Sequence, residues 1–348
     1  MKIQEASLEE GKALQRLQGK APQGKSLVVS TVNIPDFFSR VRVYESWKVF
    51  NAYEKDQIIG SAACAIRDAF VSGSVHRVGY EFQYFTSPDH RRRGVAQALR
   101  KRVERYLSDQ EVALSYACIM EGNLPSMLLF EREGFHLHRK LIMPAIAVRK
   151  ELGVPGAQNI RSITPQDLEA VADLLNQTWD GHDLFEPASP DSVARTIRRI
   201  EHLDYRDMVV FEQRGRILAC LALWDWSKIM RINILRLDLR MRILLGLLFL
   251  MGILPKFPRP GDTLRQMMLT MIGYHSPTDL SPLVKHVNNL ARQQDVEQIF
   301  CICESNDGIL KSMKSFTRIN TMVNLYAKPL QPHISLTDAP VAMTGFDM

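Results

Sequence analysis

Apolar and polar side chains alternate through Arg77–Phe85 (RVGYEFQYF), a stretch rich in aromatic and β-branched residues, and this predicts a strand. The period then changes. Val95, Ala98, Leu99, Val103, Tyr106 and Leu107 recur at spacings of three and four, which predicts an amphipathic helix to about Ser108. Arg100, Lys101, Glu104 and Arg105 fall on its other face. The same reading gives a short strand over Lys2–Ala6, then a helix to about Leu17 opened by the capping-box pattern Ser7-Leu8-Glu9-Glu10. A second helix is predicted over Asp36–Trp47, and a hairpin over Val49–Tyr53 and Ile58–Ile66 about the turn Glu54-Lys55-Asp56. Val112–Met120 reads as a buried strand, Pro125–Glu133 as a helix stopped by Gly134, and Phe135–Val148 as a strand. Lys150–Asn159, with Gly153, Pro155 and Gly156, reads as a linker.

The junction at Ser87–Ala96 (SPDHRRRGVA) carries the clearest chemistry. The first turn of a helix leaves N–H groups without internal partners, and the helix dipole favours negative charge there. Gly94 lets the backbone approach a bulky anion, Ala96 keeps the first turn uncluttered, and Arg91, Arg92 and Arg93 add charge and forked donors. A phosphate suits such a site.

Arg91-x-x-Gly94-x-Ala96 resembles the Q/R-x-x-G-x-G/A signature of the GNAT superfamily of acetyltransferases, with Ser87-Pro88-Asp89-His90 as lead-in. Asn123 and then Phe130-Glu131-Arg132-Glu133-Gly134-Phe135 resemble that family's second block, in order and at the family's distance. The resemblance covers about residues 1–150. It implies a mixed α+β sheet flanked by helices, acetyl-CoA as cofactor, and transfer of an acetyl group to a primary amine by direct attack in a ternary complex. It also implies that Arg91–Ala96, including Val95, grip the pyrophosphate, and that main-chain groups near Tyr84, Phe85 and Thr86 pair with the pantetheine arm. Asn123, Ser126 and Phe130 are the further cofactor-binding positions; Asn123 reads equally as a helix cap before Pro125.

Attack by an amine needs a base, and the departing thiolate needs a proton or stabilisation. Glu81, on the central strand, is the candidate base, or else an ion-pair partner of a nearby arginine; His76 and His90 are weaker candidates. The tyrosine that the family places before Glu131 is Phe130 here, which cannot donate a proton. Tyr84, Tyr116, Ser126 or water would substitute. The alternative is a weak or inactive acyl-CoA-binding regulatory or scaffold protein.

After the linker the pattern restarts. Asn159–Ile163 with Thr164-Pro165-Gln166-Asp167 mirrors Lys2–Ala6 with Ser7–Glu10, and Met208–Ala219 mirrors Val49–Gly60. Leu269–Pro277 and Ile299–Asn306 mirror the central strand and the strand leading to Asn123. This predicts tandem GNAT-like domains: a catalytic copy at 1–150 and a degenerate copy at 159–330. The second copy lacks R-x-x-G-x-A and runs through Pro277 into a helix capped at Ser281, so it has no pyrophosphate turn. It also carries an insertion at about 228–261. There Arg231, Arg236, Arg240 and Arg242 interleave with apolar residues, ahead of the apolar run Ile243–Leu254. That run is too short to span a bilayer. It reads as a buried or domain-bridging helix, or as a membrane-surface or homodimer contact. The tail 331–348 reads as irregular or packed on the surface.

Composition narrows the class. With 348 residues, 46% hydrophobic and 24% charged, the chain is globular and long enough for two domains. A net charge of +6 suits an anionic cofactor without requiring nucleic acid, although the arginine runs at 91–93 and 198–199 and the insertion would also suit a nucleic-acid or anionic-membrane binder. The start MKIQEASLEEGK has no apolar core of a secretory signal, and the five cysteines read as free thiols in a reducing cytoplasm. Cys301-x-Cys303 has no second pair to complete a metal site, so no metal is expected.

Overall fold

Ser7 and Glu10 form the reciprocal capping box that their spacing predicts, and the chain enters α1 (Gly11–Gly19) directly behind it. The computed structural model describes residues 1–347. In the first half, β1 (Lys2–Glu5), β2 (Leu27–Asn33), β3 (Ser46–Glu54), β4 (Gln57–Val71), β5 (Ser74–Thr86), β6 (Leu114–Met120) and β7 (His136–Ala147) are joined through α1, α2 (Val95–Asp109) and α3 (Leu124–Arg132). The second half begins with β8 (Ile160–Ser162), α4 (Leu168–Thr178), α5 (Pro190–Arg199), β9 (Met208–Gln213) and β10 (Arg216–Trp224). It continues through β11 (Met230–Leu237), α6 (Leu239–Leu250), β12 (Thr263–Leu264), β13 (Gln266–Tyr274), α7 (Pro277–Gln293), β14 (Gln298–Phe300), α8 (Gly308–Ser312) and β15 (Arg318–Pro329).

One 12-stranded sheet runs through both halves in the order β1-β3-β4-β5-β6-β15-β7-β14-β13-β10-β9-β8. The internal repeat is visible in that order read from either end. In each half antiparallel strands lead inward to one parallel pair, β5 with β6 and β13 with β14. The halves then exchange their last strands. β15 lies between β6 and β7, and β7 lies against β14.

Four expectations need correction. Asp36–Trp47 is not a helix. Asp36 caps only a short 3-10 turn at Phe37–Arg40, and the chain enters β3 at Ser46. Phe37, Phe38, Ser39, Arg40 and Val41 are buried in succession, and five consecutive positions would cover every side of a helix, which one apolar stripe does not give. The apolar run of the insertion is not a buried helix either: no residue of α6 is buried, and of Ile243–Leu254 only Leu254 is. The tail is irregular, as one reading has it, but it is not a surface segment. Val341, Ala342, Met343, Phe346 and Asp347 are buried between the halves, and Val341 bridges to Asp183. Met348 lies outside the described residues. α7 starts earlier than predicted, with Ser276 at its cap and Pro282 inside its first turns.

Candidate functional site

β5 is bulged. Ser61 and Ala63 of β4 face Phe85 and Phe82, so β5 carries an extra residue there. Gln83 takes it up at φ +53°, in the left-handed region. The parallel pairing of β5 with β6 is confined to Val78–Tyr80 against Leu114–Tyr116. Beyond Tyr80 no further pairing joins these strands among the described residues, so a gap opens towards Thr86. The amide nitrogen and oxygen of Gln83 are buried without a hydrogen-bond partner, as is Oδ1 of Asn324 on β15. A buried amide without a partner is costly, and a bound molecule with its own amides would satisfy it.

At the open end of β5, the Ser87 N–H donates to the Ile59 carbonyl (2.8 Å) and Pro88–His90 form a 3-10 turn. Arg92 at φ +61° and Gly94 at φ +79° then bend the chain into α2. Gly94 is the helix cap and offers no side chain to the first N–H groups, and a Cβ there would meet nothing within 4 Å. The first turn of α2 thus opens to solvent with its dipole unscreened. Arg93 and His90 pair with Glu54, at 3.1 and 3.2 Å. Arg91 and Arg92 are exposed, with no ion pair among the described residues. Gly60 sets how close α2 comes to the sheet, since a Cβ there would lie 2.6 Å from Val95.

The predicted catalytic residues divide between two faces. Glu81 is buried beneath α2. One carboxylate oxygen accepts from the Tyr84 hydroxyl (2.5 Å), and the other from Ser115 (2.8 Å) and Arg100 (3.2 Å). Burial raises the Glu81 pKa, and Arg100 opposes it. Arg100, assigned from the pattern to the exposed face of its helix, is instead completely buried. It contacts Glu81, Glu104 and Glu133, and its guanidinium lies 5.0 Å from the Phe135 ring centre. Arg100→Ala would strand a buried carboxylate, so we expect a loss of about 3–5 kcal/mol in urea unfolding. Glu81→Gln added to Arg100→Ala should recover part of it.

Tyr116 points the other way. Its hydroxyl accepts from Arg67 (2.9 and 3.1 Å), and Arg67 pairs with Asp347 of the tail at 3.1 Å. Burial raises the Tyr116 pKa well above that of a free phenol. Phe130 is buried against Tyr84, with ring centres 5.5 Å apart, and Ser126 is half-buried on the same helix. Asn123 occupies the cap position of α3 but its side chain makes no capping bond.

On the Tyr116 face, between the two halves, lies a cavity of about 560 Å³. Leu175, Ile272 and Met343 give it an apolar floor, while Arg67, Glu186 and Arg199 charge its wall. Burial raises the Glu186 pKa against the pull of Arg67 and Arg199. Sequence reading missed Gln83, Glu186 and the Arg67–Asp347 pair. Only Gln83 had a local signal, its place in the central strand, and that pattern carries no trace of a bulge.

The fold that carries this strand and helix start is that of GNAT-type acyl-CoA N-acyltransferases. Residues 26–135 match the sequence model of the Acetyltransferase (GNAT) family, and they form a GNAT domain in a chain whose two halves both have the GNAT fold. No curated protein sequence matches the chain. Among solved structures, the Saccharomyces cerevisiae N-myristoyltransferase with bound myristoyl-CoA is similar at TM-score 0.66 and 11% identity, over 98% of this chain and 85% of that one. A GCN5-related N-acetyltransferase from Sphaerobacter thermophilus is similar at TM-score 0.61 and 13% identity, over 96% and 97%. One from Anabaena variabilis gives 0.55 and 11%, over 95% and 73%. At these identities the likeness is one of fold. No helix among the described residues is long and apolar enough to cross a membrane.

Proposed function

We propose that the chain is an acetyl-CoA-dependent N-acetyltransferase whose cofactor lies against the first half. The observation that carries this is the open turn Arg91–Ala96, where left-handed Arg92 and Gly94 present an uncapped helix start beside the gap between β5 and β6. The diphosphate would take the N–H groups of that turn with Arg91 and Arg92. The pantetheine arm would follow Tyr84–Thr86 into the gap, where Gln83 and Asn324 have unspent hydrogen-bonding capacity. Ser126 and Phe130 would flank it from α3, and Asn123 would bond it from the start of that helix.

The amine would enter from the cavity on the opposite face. Its nitrogen attacks the thioester carbonyl and the carbon–sulfur bond breaks. One proton leaves the amine and the thiolate takes one up. Two carboxylates would receive the amine proton: Glu81 by way of the Tyr84 hydroxyl that donates to it, or Glu186 from the cavity wall. Tyr84, next to the gap, would be the phenol that protonates sulfur, with Tyr116, whose hydroxyl accepts from Arg67 of the cavity wall, as the second candidate. The second half, with no such turn before α7, would build the acceptor wall.

Release of free thiol from acetyl-CoA over a panel of amines tests the reading. Turnover is expected. Because the Glu186 pKa is raised, a base role predicts that kcat/KM still climbs with pH above the ordinary carboxylate range, and that Glu186→Gln removes this limb. Glu81→Gln removing it instead assigns the role to Glu81. Tight coenzyme A binding with no thiol release for any amine would favour a binding protein.

A further inference from the structure

The insertion of the second half leaves a patch of apolar surface that neither half covers. α6 (LRMRILLGLLFL) buries no residue. Leu239, Ile243, Leu247 and Leu250 follow one another at spacings of four, four and three, which places them on one stripe. They are 72, 57, 53 and 80% exposed, and Met251 beyond them is 71% exposed. An amphipathic helix docked on its own protein turns this stripe inward; here it is turned outward. Soluble surfaces seldom expose so continuous a patch unless something covers it.

The charges around the stripe identify the cover. Residues 229–262 hold six basic and two acidic side chains, so this short segment contributes four of the chain's net six positive charges. Both acids are occupied. Asp238 caps α6 through the Met241 N–H (2.7 Å), and Asp262 pairs with Lys256 at 3.3 Å. Arg231, Arg236, Arg240, Arg242 and Arg259 are exposed, with no ion pair among the described residues. Arginines can keep their heads in the headgroup layer while their stems lie along apolar surface. The patch is held rigidly, because β11 pairs along its length with β2 of the first half and Asp238 N–H donates to the Ser26 carbonyl (2.9 Å).

We propose that α6 and its arginine rim are a docking surface for anionic phospholipid membranes, with the stripe lying in the interface plane. At twelve residues the helix cannot cross a bilayer, but it is long enough to lie in one leaflet. A second copy of this chain fits less well, since pairing two such patches face to face would bring like charges together.

Flotation with vesicles separates these outcomes, using the full chain and no substrate. The protein is expected to float with phosphatidylcholine vesicles containing a third phosphatidylglycerol, and far less with phosphatidylcholine alone. Ile243→Asp with Leu247→Asp changes exposed positions only, so folding should persist by circular dichroism while flotation is lost. Arg240→Glu with Arg242→Glu should weaken binding to the anionic vesicles by at least about 5-fold for each residue, with little effect on neutral ones. The proposal is overturned by wild-type protein that stays unbound at low salt, or by the aspartate variant floating as well as wild type. A dimer by light scattering that the aspartate variant dissociates, without vesicle binding, would overturn it in favour of self-association.

Discussion

Gly94→Glu combined with Arg91→Ala should weaken coenzyme A binding by at least about 100-fold while the protein stays folded. The physical basis is local. Gly94 lies at φ +79°, and a side chain there meets no atom, so nothing in the core has to move. The left-handed strain of a non-glycine residue costs about 1–2 kcal/mol. That is a modest loss for a large protein. The loss of binding is greater for two additive reasons. Arg91→Ala removes a charge-assisted contact to phosphate worth about 1.5–3 kcal/mol, and the new carboxylate brings a negative charge to the helix start that would face a diphosphate. Titration calorimetry gives the affinity, and a thermal melt run beside it gives the stability. Unchanged affinity in a folded variant would remove the turn from the cofactor site. Equal losses of affinity and melting temperature would mean that the substitution had unfolded the turn rather than repelled the ligand. Arg91→Ala alone, at an exposed side chain, then separates those two cases.

Much of this site was legible because its determinants are close together in sequence. The period change across Ser87–Ala96 marks both the strand and the helix, and the glycine between them marks the backbone conformation. Ser7 with Glu10 announces a cap in the same way, and Lys55 and Asp56 form the tight turn that their hairpin requires. What was not legible depends on partners far away in the chain. Arg100 falls on the polar side of its helix by period, yet the Glu81 carboxylate and the Phe135 ring draw it into the interior. No local pattern reports that the surface it faces is polar. β2 escaped because its partner is β11, about two hundred residues later. The tail has no periodicity, and its burial follows from single anchors. Phe346 sits against Trp224, and the Tyr44 hydroxyl donates to the Phe346 carbonyl at 2.5 Å.

The exchange of final strands is the largest feature of that kind, and it predicts that residues 1–150 alone will not fold cooperatively. The sequence repeat invites the opposite expectation, because each copy has the elements of a whole domain. The sheet shows why the copies are not separable. β15 runs antiparallel to β6 over Val323–Pro329 and to β7 over Arg318–Ala327, so it fills the space between two strands that do not touch each other. Without it, two strand edges lose their backbone partners in the middle of a sheet, where unpaired groups are expensive. Val323, Leu325 and Tyr326, all buried, leave with it. β7 also loses β14, which holds its far end at Ala145–Ala147. The fragment should therefore aggregate or give a broad, non-cooperative urea transition. The full chain should unfold with its first-half probes and second-half probes moving together. Co-expression of 1–150 with 151–348 as separate chains should restore a soluble complex, because strand exchange needs contact but not a covalent link. A soluble 1–150 fragment with a sharp transition of its own would show that β6 and β7 can close on each other, and that β15 is a replaceable filler rather than the strand that joins the halves.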